Sequence, residues 1–376
     1  MKRLVLAAAL ALSTSAASGE EFGSLEALGE ALFFDVNLSW NRTQSCATCH
    51  DPAFAFTDPR ETDLGRMVSL GDDGTSLGDR NTPTAAYAMF SPRFEKLDPG
   101  VYRGGQFLDG REPDLEGQAG GPPLNPLEMG MPDKASVVDR LAENPDYVAA
   151  FAAHFGRDVW ADTEAAYRAM TEAIAAFERT DTFASFDSKY DRFLRGEAEL
   201  SPEEELGRVL FFSQQFTNCN LCHQLRPSPM AGDETFSNYE YHNIGVPLNQ
   251  RVRSMTGFEG IDHGLLANPE VDEPETDGQF KVPTLRNVAV TGPYMHNGVF
   301  EDLRTVVLFY NMFNTRDPAR LINPETGAPF RDPEVPGTLS MEELTHGPAL
   351  DDRRVDALVA FMKTLTDARY EHLVED

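Results

Sequence analysis

Cysteine is scarce in this 376-residue chain: there are four, and all of them sit in two Cys-x-x-Cys-His motifs. None is left for a structural disulfide, even though an exported chain would permit one. Basic residues are outnumbered, with 32 Lys and Arg against 61 Asp and Glu, for a formal charge of −29. A surface of that sign makes nucleic acid a poor partner; it suits either a basic patch on a redox partner or plain solubility. Long apolar runs are missing too. The run Leu4–Leu12 is too short to cross a bilayer, and no later stretch offers the roughly 18 predominantly apolar, uncharged residues of a membrane-spanning helix. Tryptophan occurs only as Trp40 and Trp160, for which packing is the default role.

At the N-terminus Lys2 and Arg3 precede that apolar run, and small residues with a cleavage point after Ala17 follow. This is the order of a secretory signal peptide over residues 1–17, so a mature chain beginning near Ser18, without a transmembrane anchor, is expected in the periplasm. Removing Lys2 and Arg3 takes the formal charge to −31.

The motifs are Cys46-Ala47-Thr48-Cys49-His50 and Cys219-Asn220-Leu221-Cys222-His223. Two thioethers and one proximal histidine at this spacing place three attachments on one porphyrin, so two covalently bound c-type haems are expected, with His50 and His223 on the irons.

Each motif follows a similar segment, Leu28-Gly29-Glu30-Ala31-Leu32-Phe33-Phe34 and Leu206-Gly207-Arg208-Val209-Leu210-Phe211-Phe212. The repeat predicts a helix packed beside each haem. The fold class expected is all-α, with two cytochrome c-like haem domains and long ordered loops. The domains are placed at 18–175 and 176–376, the connecting helix being assignable to either side. Residues 136–155 read as broadly helical, and 163–177 as an amphipathic helix with Thr163 as N-cap. Proline and glycine are dense at 98–132 and 318–348, which predicts ordered loops around cofactors.

Beyond the motifs the chain contains Arg80-Asn81-Thr82-Pro83-Thr84, Asp109-Gly110-Arg111, Asn125-Pro126-Leu127-Glu128-Met129, Pro283-Thr284-Leu285-Arg286-Asn287 and Pro293-Tyr294-Met295-His296-Asn297-Gly298. With these segments in this order it resembles the bacterial di-haem cytochrome c peroxidase and MauG superfamily over nearly all of the mature chain. The resemblance implies that the N-terminal haem reacts with hydrogen peroxide and that the C-terminal haem stores or relays an electron. Glu128 matches the distal acid of the family, and Gln118 and Pro122 match neighbouring pocket positions. Asn81, Thr291 and Pro293 match positions that cradle a calcium ion between the haem domains.

Two features separate the branches of this superfamily. Many di-haem peroxidases close the resting first iron with a histidine located between the first motif and Asp-Gly-Arg; here no histidine occurs between His50 and His154, so the first haem resembles the open one of MauG. The distal ligand of the second iron lies fourteen residues after the histidine of Pro-Tyr-x-His, which here is Tyr310, as in MauG, where ordinary peroxidases carry methionine. Met312 and Met295 are the alternative ligands. One departure stands against these agreements: the family tryptophan before Asp-Gly-Arg is replaced by Leu108, which leaves Phe107 and Tyr102 as nearby aromatic substitutes.

The function implied is a MauG-like oxidoreductase that uses hydrogen peroxide to oxidise a protein substrate through high-valent haem. A cytochrome c peroxidase fed by a small redox donor protein and a non-enzymatic electron-transfer or sensing protein are the alternatives.

Overall fold

The computed structural model describes residues 22–345 and 347–375. The signal peptide expected over 1–17 lies outside the described residues.

The first half carries α1 (Leu25–Phe33), α2 (Cys46–Cys49), α3 (Leu115–Ala119), α4 (Lys134–Ala142), α5 (Pro145–Phe155) and α6 (Thr163–Glu178). The second carries α7 (Lys189–Leu194), α8 (Pro202–Phe211), α9 (Gln250–Thr256), α10 (Leu303–Met312), α11 (Met341–Leu344) and α12 (Asp352–Lys363). Three two-stranded antiparallel ladders join them: β1 (Glu95–Asp98) with β2 (Val101–Arg103), β3 (Tyr241–His242) with β4 (Phe280–Lys281), and β5 (Ile322–Asn323) with β6 (Ala328–Pro329). The fold is helix-dominated, in keeping with the expected all-α class, with these three small ladders added. The ladders are short, and Tyr102 of β2 and Tyr241 of β3 are buried together in a small cluster with Leu265 and Val271.

Two helix crossings organise the molecule. Gly29 of α1 lies so close to α6 that a Cβ there would stand 1.9 Å from the Ala173 carbonyl oxygen. Gly207 of α8 meets α12 in the same way, with the Ala357 carbonyl 1.8 Å from a would-be Cβ. Each glycine of the sequence repeat thus permits backbone-to-backbone approach, and the Leu and Phe around it fill the core. Leu28, Leu32 and Phe33 are fully buried in the first, and Leu210 and Phe211 nearly so in the second. Each such side chain contributes about 1.5–3 kcal/mol of burial.

The first core runs from Leu28 to Ala184 and the second from Tyr190 to Leu365. The connecting helix α6 packs with the first.

Two local expectations are corrected. The stretch 136–155 is two helices, because Asn144 caps and Pro145 opens α5, and proline is tolerated only in a first turn. The N-cap of α6 is Asp162, whose Oδ1 accepts from Glu164 N at 3.0 Å. Thr163 is already helical, because the carboxylate one residue earlier reaches the orphan amide.

Candidate functional site

The first motif is a single helical turn, α2, started by Ser45, whose backbone amide donates to Thr48 Oγ1 at 2.9 Å. The turn closes with His50 N donating to the Cys46 carbonyl at 2.9 Å. His50 then donates from Nδ1 to the Phe56 carbonyl at 3.1 Å. A carbonyl can only accept, so the proton sits on Nδ1 and the Nε2 lone pair is left for a metal. The second motif repeats this, with His223 Nδ1 donating to the Phe236 carbonyl at 3.1 Å. Phe56 and Phe236 have the same left-handed backbone, φ 55° in each, which turns their carbonyls toward the rings.

Loss of hydration keeps both imidazoles neutral, as iron ligation requires: His50 is held below the usual range and His223 is brought down to about 4. Burial also pushes the thiols of Cys49 and Cys222 up to about 12. A redox dithiol needs a depressed thiol pKa; these cysteines suit attachment.

Cys219, Cys222 and His223, the second motif, open onto a cavity of about 390 Å³, named the second cavity after that motif. Tyr310 of α10 lines it. The 36% of Tyr310 that is exposed belongs to a side chain bordering this cavity, and burial followed by the charges of Cys222 and Cys219 pushes its phenol upward. Met295 also lines the cavity, whereas Met312, two residues beyond Tyr310, is not on its wall. The β3–β4 ladder pairs His242 with Phe280, and His242 faces the cavity with Nε2 unpartnered among the described residues. Asn81, Thr291 and Pro293 come together on the same wall. Asn81 donates its side-chain nitrogen to the Met67 carbonyl at 3.1 Å.

Glu128 lies by the first motif, where its charge acts on Cys46 and Cys49. Its Oε1 accepts from Asn125 Nδ2 at 2.8 Å, and burial raises its carboxyl above the usual range. The loop that carries it is fixed to Pro122, whose carbonyl accepts from the amides of Asn125 and Met129. Gln118 stands on α3, started by Asp114 accepting from Gly117 N at 3.0 Å. His154 is engaged elsewhere, its Nε2 held 2.9 Å from the Phe22 carbonyl. The loop 70–79 is folded on itself and on Thr43, with Asp73 capping Ser76 and Asp72 bonded to Thr43.

A family model described as di-haem cytochrome c peroxidase matches residues 24–199. The methylamine utilization protein MauG of Paracoccus denitrificans is 55% identical over 100% of this chain and 98% of its own. The chain belongs to the di-haem cytochrome c peroxidase family. Cytochrome c peroxidase Ccp of Escherichia coli is 31% identical over 72% of this chain and 50% of its own. The diheme peroxidase BthA from Burkholderia thailandensis superposes with a TM-score of 0.80 at 34% identity, covering 92% of this chain and 86% of that one. This di-haem peroxidase relative is thus a MauG-like di-haem oxidoreductase.

Within this di-haem oxidoreductase, Phe107 and Leu108 both line the second cavity. The Phe107 ring also comes within 3.1 Å of a would-be Cβ on Gly121, next to Pro122, and carries the Arg111 guanidinium 3.6 Å over its centre. Tyr102 instead bonds Glu273 at 2.6 Å and is not on the cavity wall. Sequence reasoning missed Lys281, buried against the Gly105 carbonyl with its amine brought down to about 7. It also missed Glu178, whose buried carboxyl is raised to about 8, and Tyr87. The signal available for Tyr87 was the echo of Pro83-Thr84 in Pro283-Thr284.

Proposed function

We propose that the N-terminal half is a cytochrome c-like unit that reacts with hydrogen peroxide and the C-terminal half a cytochrome c-like electron-transfer unit. Cys46, Cys49 and His50 would hold one c-type haem, and Cys219, Cys222 and His223 the other, with Tyr310 as the second ligand of the C-terminal iron. When bound, the haems supply the redox chemistry that reduces peroxide and stores the oxidising equivalents. Glu128 takes a proton from the bound peroxide and returns one to the departing oxygen, held in place by Asn125. Gln118 orients the peroxide or a water, and Pro122 shapes the wall beside it. Asn81, Thr291 and Pro293 would hold calcium between the halves through one side-chain oxygen and two carbonyls, with waters completing its shell. The reaction proposed is oxidation of a partner protein in the periplasm.

The observation that carries this reading is Tyr310 on the wall of the second cavity while Met312 is off it. A phenolate favours oxidised iron, which suits storage of oxidising equivalents better than a thioether does. Leu108 favours a second reading, a cytochrome c peroxidase drawing electrons from a small redox protein, because an aliphatic side chain cannot carry a hole between the haems. Adding one equivalent of peroxide to the fully oxidised holoprotein and following its absorbance separates the two. Reaction without prior reduction, followed by oxidation of a protein substrate, is expected. A requirement for reductive activation would leave the ordinary peroxidase.

A further inference from the structure

Four tyrosines line the second cavity: Tyr87, Tyr239, Tyr294 and Tyr310. They differ in what their hydroxyls meet. Tyr310 is the proposed iron ligand. Tyr294 donates to the Val288 carbonyl at 3.0 Å, and Tyr239 has no partner among the described residues. Tyr87 alone of the four donates to a carboxylate, Asp367 Oδ1, at 2.6 Å. Both residues are fully buried.

The surroundings fix the direction of that proton. Asn287 Nδ2 donates to the other oxygen of Asp367 at 2.9 Å, so the carboxylate accepts from two donors, the arrangement of an ionised group. The Phe186 amide donates to the Tyr87 hydroxyl at 3.1 Å, which leaves the phenolic hydrogen only the path to Asp367. Burial raises the Asp367 carboxyl above the usual range, making it a stronger base than a surface aspartate. Arg286 lies 5.5 Å from the Tyr87 ring, but its charge is matched by Asp191.

The internal repeat shows what the tyrosine adds. Thr84 and Thr284 each donate to a carbonyl at 2.6 Å, those of Ala55 and Thr235. Three residues later Tyr87 and Asn287 share φ 61°, and their amides donate to the Phe183 and Leu365 carbonyls. Asparagine adopts this left-handed backbone readily and bulky residues do not. Asparagine also bonds Asp367 perfectly well at 287. Where its counterpart brings an amide to Asp367, Tyr87 brings an oxidisable ring beside the same base. Tyr87 also packs in the first core with Phe56, whose carbonyl holds His50 and accepts from Ala85 N at 3.2 Å. It thus belongs to the core that backs the first motif and lines the cavity at the second, whereas Phe107 and Leu108 offer no readily oxidised group.

We propose that Tyr87 is a redox-active tyrosine that passes an electron to the peroxide-oxidised haem while its phenolic proton moves to Asp367. This rests on the reading that peroxide oxidises the haems. One electron leaves the ring and reduces the haem by one equivalent, the O–H bond breaks, and the proton is held on Asp367 Oδ1. The oxygen keeps the Phe186 amide as donor. An electron from the substrate protein or redox donor, with return of the proton, restores the phenol.

Freeze-quench electron paramagnetic resonance of the full-length holoprotein after one equivalent of peroxide tests this, with tyrosine supplied in natural and ring-deuterated form. A radical signal that narrows on deuteration is expected, and it should be lost in Tyr87→Phe, which keeps the ring and its packing. Asp367→Asn, which keeps Tyr87 but removes its base, should also suppress it. Persistence of the same signal in Tyr87→Phe, its loss in Tyr239→Phe or Tyr102→Phe instead, or absence of any tyrosine radical in the parent protein would overturn the assignment. Haem absorbance recorded on the same samples separates the two failures. A haem that responds to peroxide without a tyrosine radical sinks only this inference, and an unresponsive haem sinks the reading beneath it.

Discussion

Glu128 owes its chemistry to its position. A carboxyl raised by burial loses its base form as pH falls through a pKa above the ordinary carboxylate range. The rate of the peroxide reaction is therefore expected to decline on the acid side at a higher pH than a solvated glutamate would give. Glu128→Gln should slow that reaction roughly 10²-fold and abolish the acid limb, with both haems still attached; a stopped-flow pH series checks this. Tyr310→Met should raise the reduction potential of the second haem and weaken oxidation of a protein substrate, since a thioether favours ferrous iron. Potentiometry and magnetic circular dichroism report it. The same spectral change in Met312→Ala would instead identify the thioether as the ligand, against the placement of Met312 off the cavity wall. The proposed roles of Tyr310 and Glu128 come from counting from His296 and from the segment around Glu128, and the fold adds where each side chain lies. Tyr87 was not legible in the sequence, because its partner Asp367 lies 280 residues away and only folding brings them together.

The α1–α6 and α8–α12 crossings are the elements on which the haem motifs are mounted. Gly207→Ala would drive a methyl into the Ala357 carbonyl. Backbone cannot yield as a side-chain tip does, so the crossing must open, at a cost of about 1–3 kcal/mol or more. Thermal melting of the holoprotein should register the loss, and Gly29→Ala should behave likewise. The repeat around these glycines was plain in the sequence; the reason for the glycines was not, since the opposing carbonyl belongs to a helix more than 100 residues on. Helix ends followed local chemistry at Asp162 and Pro145, where one carboxylate and one ring override an averaged periodicity.

For the whole molecule, the expected product of export is one chain with two covalent haems. Mass measurement of the mature holoprotein should show both additions, and a variant with Cys219 and Cys222 replaced by Ala should retain only the first. The acidic surface belongs to this scale as well, with a formal charge of −29 over the full chain. If a basic partner is steered by it, the second-order rate with that partner should fall steeply as ionic strength rises, and a flat salt profile would assign the charge to solubility alone.

The sequence by itself determined the attachment chemistry, the two-fold repeat and the family, because Cys-x-x-Cys-His and the short segments around it are local and bring their own turn geometry. It also shows that no histidine lies between His50 and His154. Tertiary structure decided which groups share a cavity: Tyr310 but not Met312, Phe107 but not Tyr102, and Asn81 on the same lining as Thr291 and Pro293, some 200 residues on. It also shifted titration, since Lys281, Glu178 and Glu128 are ordinary charges in a sequence, and burial lowers the first and raises the other two only where packing removes their water.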